Sequence, residues 1–386
     1  MLCGVHEFGI RGAEEDRGLI MAKIIVWGAG NAALRFCKYN DNYPCIDYEI
    51  VGVTDSYKTF GANSFCNYRF YDCNNIPEDA FDTFCITADS ETVVTEIKEK
   101  IKSIWGDTKN IYGYKELINK YRKSRLIQKY NTSYDPEIMK IVNYLRENEL
   151  SVRTIYENKS VIRYDLKEDD SGYPYVMFFG KKMFYPKDCI WRKQRYIENI
   201  VESDQHDGSP HLYLHGKHNI KKGDVVVDAG VCEGNFALRF VDVASKMFLI
   251  ECDPAWWEPL ERTFFPYKDK VEFVFKELSD IDSPNSLTID SLIPESQRVD
   301  FIKMDIEGCE VRALLGGINT LRRCHPKVSV CAYHRQYDEK YIRFILDSVG
   351  YSTSVSDGYM FMMYDRNIDK SLDLRRGMVY GDYYRQ

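Results

Sequence analysis

The chain lacks any run of about 18 apolar residues, so nothing in it reads as a membrane-spanning helix. It lacks a Cys-x-x-Cys pair, and no Cys/His spacing fits a zinc site, although twelve cysteines are present. Their scatter through strand-like and helical runs, as at Cys85, Cys252 and Cys331, reads as free, buried thiols in a reducing cytoplasm. Basic charge is not in excess: the net charge of −7 argues against a nucleic-acid backbone as the main partner. There is no solenoid-type repeat. Residues 1–19 carry charges but no apolar core run, which excludes a signal peptide; 1–20 read as a disordered leader ahead of a natural start at Met21.

What is present is an ordinary globular composition, 44% hydrophobic and 29% charged, in a length that suits two or three domains at about 150 residues each. Tyrosine is abundant, at 29 residues, with 20 phenylalanines. Such rings suit sugar surfaces, and equally fill amphipathic core positions.

The informative stretch is 222–317. Val225-Val226-Val227 is a buried strand that runs into the turn Asp228-Ala229-Gly230-Val231-Cys232-Glu233-Gly234-Asn235. Gly230 and Gly234 remove Cβ atoms where backbone would approach a ligand. A helix is expected over 235–244, then a strand over 247–250 ending in Glu251. A glycine turn after one strand and an acid at the tip of the next is a nucleotide-cradling arrangement, the acid accepting both ribose hydroxyls. Asp228 beside the turn would repel a pyrophosphate and suits a cationic ligand, which favours S-adenosylmethionine over NAD. Further on, a strand over 299–304 delivers Asp305 and Glu307 to its C-terminal end, and Glu310 follows. Three carboxylates at one junction are costly unless something cationic or protic sits there.

With these residues the stretch resembles the FkbM-type methyltransferase family. The matching positions are Asp228, Gly230, Gly234, Glu251, Pro254, the Ile-Lys-x-Asp-x-Glu-Gly-x-Glu run at 302–310, Gly316-Gly317 and Tyr333-His334. The resemblance covers roughly 211–366. Val231-Cys232 depart from it, standing where the family usually has Ala-Asn. It implies an α/β fold of the class I methyltransferase type, a Rossmann-like seven-stranded sheet with an antiparallel last strand. It also implies S-adenosylmethionine as donor and a sugar or glycan hydroxyl as acceptor.

A second opening of the same kind lies near the start. Residues 23–27 form a strand, followed by Gly28-Ala29-Gly30, and a strand over 48–54 ends in Asp55. Gly28, Gly30 and Asp55 either hold a nucleotide or nucleotide-sugar, or merely allow close helix–strand packing around an empty pocket. The expected organisation is therefore a leader at 1–20, a smaller Rossmann-like α/β domain at 21–120, a helical and β-hairpin connector at 121–210, the methyltransferase domain at 211–366 and a peripheral tail at 367–386. In the connector, Ile138, Ile141, Val142 and Leu145 make one apolar helix face, read as packing the two α/β units together. Strands are expected over 161–164 and 176–179, the latter in a hairpin around Gly180. A closing hairpin is expected between 351–355 and 360–364.

His206, His211, His215 and His218 crowd into thirteen residues. A three-histidine helix face is opposed by Pro210 and Gly216, so they read as loop histidines at the methyl-transfer cleft that touch the acceptor, with His211, His215 and Tyr333 as substrate contacts. The donor contacts are expected from Asp228, Gly230, Gly234, Asn235, Glu251 and Asp305, with Leu278 and Ser279 at the adenine. A poor sugar nucleophile needs a base or a polarising metal. His334 is the expected base; Asp305 and Glu307 orient it, act as base themselves, or hold a magnesium ion. Lys303 is given no catalytic role, and for Glu310 helix capping weighs as much as catalysis. Two other readings stand beside this one: an NAD-dependent oxidoreductase working through 28–55, and a non-catalytic nucleotide-sugar binding protein. The expected partner is a small-molecule or glycan acceptor, with no nucleic acid and with homo-oligomerisation left open.

Overall fold

The computed structural model describes residues 21–43, 48–58, 64–155, 164–187 and 205–384. The expected leader at 1–20 and residues 161–163 of one expected strand lie outside them. The chain divides into two compact units, Met1–Arg125 and Leu126–Gln386.

In the first unit, apolar residues occupy consecutive positions of a strand, so both faces must be covered. Six strands form one sheet: β1 (Ala22–Trp27), β2 (Tyr48–Asp55), β3 (Ser64–Phe65), β4 (Tyr68–Asp72), β5 (Thr83–Ile86) and β6 (Asn110–Gly113). Their order is β3-β4-β2-β1-β5-β6, parallel throughout except between β3 and β4. Successive β1 side chains alternate between the faces. Ile24 and Val26 join Phe36 and Tyr121 on one side, while Ile25 and Trp27 join Phe84, Ile101 and Trp105 on the other.

The second unit begins in the last turns of the helix Tyr114–Tyr130 and continues with the helix Pro136–Glu147, started by Asp135, whose carboxylate accepts from the N–H groups of Glu137 and Ile138 at 2.8 and 3.3 Å. Its Ile141 and Leu145 pack on Leu126, Phe361, Ile368 and Leu372, so the apolar face expected to join two units is used within this one. A meander follows, of β7 (Lys167–Glu168), β8 (Pro174–Phe178) and β9 (Lys181–Phe184). The β8–β9 turn sets Phe179 and Gly180 at φ 47° and 75°, as a two-residue hairpin requires.

The main sheet has seven strands: β10 (Val225–Ala229), β11 (Lys246–Ile250), β12 (Val271–Val274), β15 (Phe301–Met304), β16 (Lys327–Cys331), β17 (Tyr351–Val355) and β18 (Met378–Tyr383). Between β12 and β15 a small ladder joins β13 (Glu277–Leu278) to β14 (Ser286–Leu287). The sheet order is β12-β11-β10-β15-β16-β18-β17, with β18 antiparallel to both neighbours. Val226 and Phe301 enter one core, Val225, Val227 and Ile302 the other, each full burial contributing about 1.5–3 kcal/mol. The chain leaves β10 for β11 on one side and returns to β15 on the other, which opens a crevice beyond the strand ends.

The closing hairpin differs from expectation. β17 pairs with β18, and 360–364 contributes only an isolated bridge from Met360 to Arg375. The stretch 367–386, expected as a peripheral tail, thus supplies an interior strand. Gly381 breaks the apolar run of β18 because a Cβ there would lie 3.1 Å from both Leu346 and Tyr351. Among the described residues, no helix is long and apolar enough to cross a membrane.

Candidate active site

Register lines up the crevice. Ala229 pairs with both Ile250 and Met304, and Met304 with Val330. Gly230, Glu251 and Asp305 therefore leave the sheet on one edge, and Tyr333-His334 follow β16 on the same edge. A cavity of about 570 Å³ lies there, lined by Gly230, Val231, Cys232, Asn235, Glu251, Leu278, Asp305, Glu307, His211 and Tyr333 among others.

The glycines serve the protein before any ligand. Gly230, at φ 77°, admits the Asp305 carbonyl oxygen, which would stand 1.7 Å from a Cβ at this position. Gly234, at φ 85°, similarly makes room for Phe264, 2.9 Å from such a Cβ. At both positions the close approach is met within the protein, by the Asp305 backbone beside Gly230 and by a side chain of the helix Pro254–Phe264 beside Gly234, and Gly230 also lines the cavity. Two non-glycine residues at the cavity, Cys232 (φ 49°) and Glu307 (φ 54°), are also left-handed. Such conformations cost of order 1 kcal/mol or more and gather at functional sites.

Glu251 is buried at the tip of β11. Its carboxylate accepts from the N–H of Cys232 at 2.9 Å and of Asp253 at 2.8 Å, which ties the glycine turn to the acid. Leu278 and Glu277 line the same end of the cavity. Ser279 does not; its hydroxyl donates to Asp280, which pairs with Arg312 at 2.8 Å. Asp228 is not in the wall either. Facing Lys303 across the β10–β15 ladder, it makes a wholly buried ion pair at 3.0 Å. Its charge is thus met inside the protein rather than by a ligand. Burial would pull the Lys303 ammonium down, but Asp228 and Asp305 more than restore it. Lys303 also donates to the Gly230 carbonyl at 2.6 Å and so fastens the turn.

The acids and histidines form a network. Asp305 accepts from the Tyr213 hydroxyl at 2.6 Å and has His211 Nε2 at 3.3 Å on the same oxygen. Its other oxygen faces His334 Nε2 at 3.5 Å. Burial pushes the Asp305 carboxyl up, but His211, His334 and Lys303 together outweigh it and hold the group well below the usual range. Tyr213, absent from the sequence expectations, sits between two of the histidines that drew attention. His334 Nδ1 lies 2.8 Å from Glu310, with Glu307 at 3.6 Å from Nε2. Burial would lower the imidazole pKa, yet Glu310, Asp305 and Glu307 raise it to about 9. A group that holds its proton at neutral pH is a poor base, and His334 does not line the cavity. The expectation of His334 as base is corrected on both grounds. Glu310 also accepts from the Ile306 N–H at 3.0 Å, ahead of its helix, so it is not a side-chain cap.

Ligand atoms of Asp305, Glu310 and His334 lie within 4.8 Å of one another, as do those of His211, Asp305 and Cys331; Glu307 belongs to neither group. Asp305 and Glu307, the pair expected for magnesium, both face His334 Nε2, at 3.5 and 3.6 Å, but Glu307 joins neither three-residue set. Residues 211–218 form no helix; His215 and His218 share a bridge, and His215 stacks on Tyr380 away from the Asp305 network.

In the first unit, Asp55 closes on its own loop. It accepts from the N–H groups of Ala29, Tyr57 and Lys58 at 2.7, 2.9 and 3.0 Å. Gly28 makes room for Thr87, 2.7 Å from its would-be Cβ. Packing accounts for Asp55 and Gly28, whereas a Cβ at Gly30 would meet nothing nearer than Lys58 Nζ at 4.0 Å.

A sequence-family model, Methyltransferase FkbM domain, matches residues 253–353. The chain carries a methyltransferase FkbM domain. The match opens just beyond Glu251 and takes in β12 to β17. It makes this an S-adenosylmethionine-dependent methyltransferase. A second model, C2185-like, N-terminal, matches residues 20–112. No curated protein matches the chain. Among solved structures, this FkbM-domain chain is similar to a methyltransferase FkbM from Methylobacillus flagellatus KT, at 14% identity over 93% of this chain and 90% of that one, TM-score 0.41. It is also similar to the Methanococcus jannaschii fibrillarin pre-rRNA processing protein (12% identity, 60% and 100% covered, TM-score 0.33). A SAM dependent methyltransferase from Aquifex aeolicus is a third (16%, 43% and 85%, TM-score 0.29).

Proposed function

We propose that the protein transfers a methyl group from S-adenosylmethionine to a hydroxyl of a sugar, nucleotide-sugar or glycan intermediate. The carrying observation is the charge of the larger cavity. Glu233, Glu251, Asp253, Glu277, Asp305 and Glu307 line it against two lysines, one of them already paired with Asp228. Such a wall repels a dinucleotide's pyrophosphate and favours a donor that carries a sulfonium and an ammonium.

In this reading Glu251 accepts the ribose hydroxyls, and Leu278 and Ile250 pack on the adenine. The bound donor supplies an electrophilic methyl: its carbon–sulfur bond breaks, the electron pair staying on sulfur, as the bond to the acceptor oxygen forms. His211 takes the hydroxyl proton, since it lines the cavity and carries Asp305 at 3.3 Å to stabilise the imidazolium. Tyr213 and protonated His334 hold Asp305 from two sides. The acid therefore keeps its place and charge through the proton transfer.

Calorimetric titration with S-adenosylhomocysteine, NAD and a uridine-diphosphate sugar tests the reading. Heat with S-adenosylhomocysteine and none with NAD is expected. Binding of NAD alone would replace it with an oxidoreductase working through 28–55.

A further inference from the structure

The helix Asn235–Phe240, the β8–β9 turn and the histidine-bearing loop enclose a second cavity, of about 360 Å³. Gln205 and Asn235 belong to its wall and to that of the larger cavity. A molecule held in it would lie beside the donor, yet nothing in the donor's recognition uses it.

Its chemistry is the reverse of its neighbour's. Phe178 and Phe179 from the hairpin and Phe236 and Phe240 from the helix give it aromatic sides. Arg239 lies between two of these rings, its guanidinium carbon 5.4 Å from the centres of both Phe179 and Phe240. Arg239 is exposed and has no carboxylate partner among the described residues. An arginine so placed keeps its forked donors for an oxyanion while its planar face is held by the rings. Asn219 and Asn235 add amides. One acid, Asp207, lines this cavity, against six in the larger one.

We infer that this cavity is the acceptor subsite, and that it takes a sugar ring carrying an anionic group, either a phosphate ester or a ring carboxylate. The inference rests on the methyl-transfer reading and names the acceptor class for it. The aromatic walls cover the apolar face of the ring, the amides meet its hydroxyls, and Arg239 pairs with the anion in two-pronged fashion. Charge then sorts the two ligands: the acidic compartment keeps the cationic donor, and the compartment with Arg239 keeps the anionic acceptor.

The test uses full-length protein saturated with S-adenosylhomocysteine and titrated with glucose 6-phosphate, glucuronate and glucose. At least one charged sugar is expected to bind about tenfold tighter than glucose or better. The charged sugar that binds tells a phosphate ester from a carboxylate. Arg239→Gln should remove the advantage and leave S-adenosylhomocysteine affinity unchanged; Phe179→Ala should weaken every sugar that binds. Both side chains are exposed, so neither substitution opens the core. Equal binding of glucose and the charged sugars, no binding of either charged sugar, or indifference to Arg239→Gln overturns the inference and leaves the donor reading standing. A wild-type protein that fails to bind S-adenosylhomocysteine instead sinks the methyl-transfer reading, and this inference with it.

Discussion

His334 Nδ1 stands 2.8 Å from a carboxylate oxygen of Glu310, a fully buried acid in the first turn of the helix that follows Gly308. The imidazole is enclosed by three acids and holds its proton up to about pH 9. It works as a buried cation that neutralises the junction after β15.

That arrangement predicts a pH dependence of stability. The folded pKa is raised above the ordinary 6.5, to about 9. The stabilisation is therefore fully present below pH 6.5 and is lost as pH rises through 9. It amounts to about 3 kcal/mol for a shift of this size. Urea midpoints measured from pH 6 to 10 should fall across this window, and His334→Gln should flatten the slope. An unaltered slope in the variant would refute the protonated state.

The base assignment predicts a split between two histidines. His211→Ala should cut turnover by about 10² to 10⁴ and leave S-adenosylhomocysteine binding within a few-fold. Excess EDTA should leave the wild-type rate unchanged, because the protonated His334 already faces and neutralises Asp305. Loss of activity on chelation, restored by magnesium, would move the chemistry onto a metal at Asp305.

At the other end of the cavity, Glu251→Ala should weaken S-adenosylhomocysteine binding by roughly 3–6 kcal/mol at most, for two hydrogen bonds to a charged acceptor. Part of that loss comes from the Cys232 and Asp253 N–H groups it now holds. Glu251→Gln retains one acceptor and should lose less. Unchanged affinity in Glu251→Ala, read by calorimetry, would sink the donor assignment.

The two glycine turns should respond differently to alanine. Gly230→Ala puts a Cβ 1.7 Å from the Asp305 carbonyl at a left-handed φ, whereas the nearest atom to a Cβ at Gly30 is Lys58 Nζ at 4.0 Å. Thermal denaturation should show a loss of more than about 3 kcal/mol for Gly230→Ala and less than about 1 kcal/mol for Gly30→Ala.

Cys232 offers a gain. Its φ of 49° lies where asparagine is tolerated better than other side chains. Cys232→Asn should therefore raise stability by about 0.5–1 kcal/mol, read as a higher denaturation midpoint. A lower midpoint would show that the thiol's packing outweighs backbone strain.

β10 and β11 were legible because each carries consecutive buried apolar residues and runs into a glycine or an acid, and β15 runs into Asp305 in the same way. Glu251 and Asp305 follow directly from that pattern. The partners of those acids were not legible. Lys303 meets Asp228 only through the β10–β15 register, and Glu310 reaches His334 only after Gly308 turns the chain, so neither pairing shows in local sequence. The base was misplaced for the same reason: sequence puts His334 near the acids but cannot say how many surround it. β18 was missed because Gly381 weakens its strand pattern while 360–364 imitates one, its Phe361 being buried against Leu126 and Ile141.

The position of β18 carries a consequence for how the chain is made. It lies between β16 and β17, and it is synthesised after both of them. Until residue 383 leaves the ribosome, β16 has an open edge and β17 has no neighbour in the sheet. A nascent chain halted before that point exposes unpaired backbone on an otherwise formed sheet, the kind of surface that recruits chaperones or other unfinished chains. Truncation anywhere ahead of Met378 would remove an interior strand of the sheet rather than a tail.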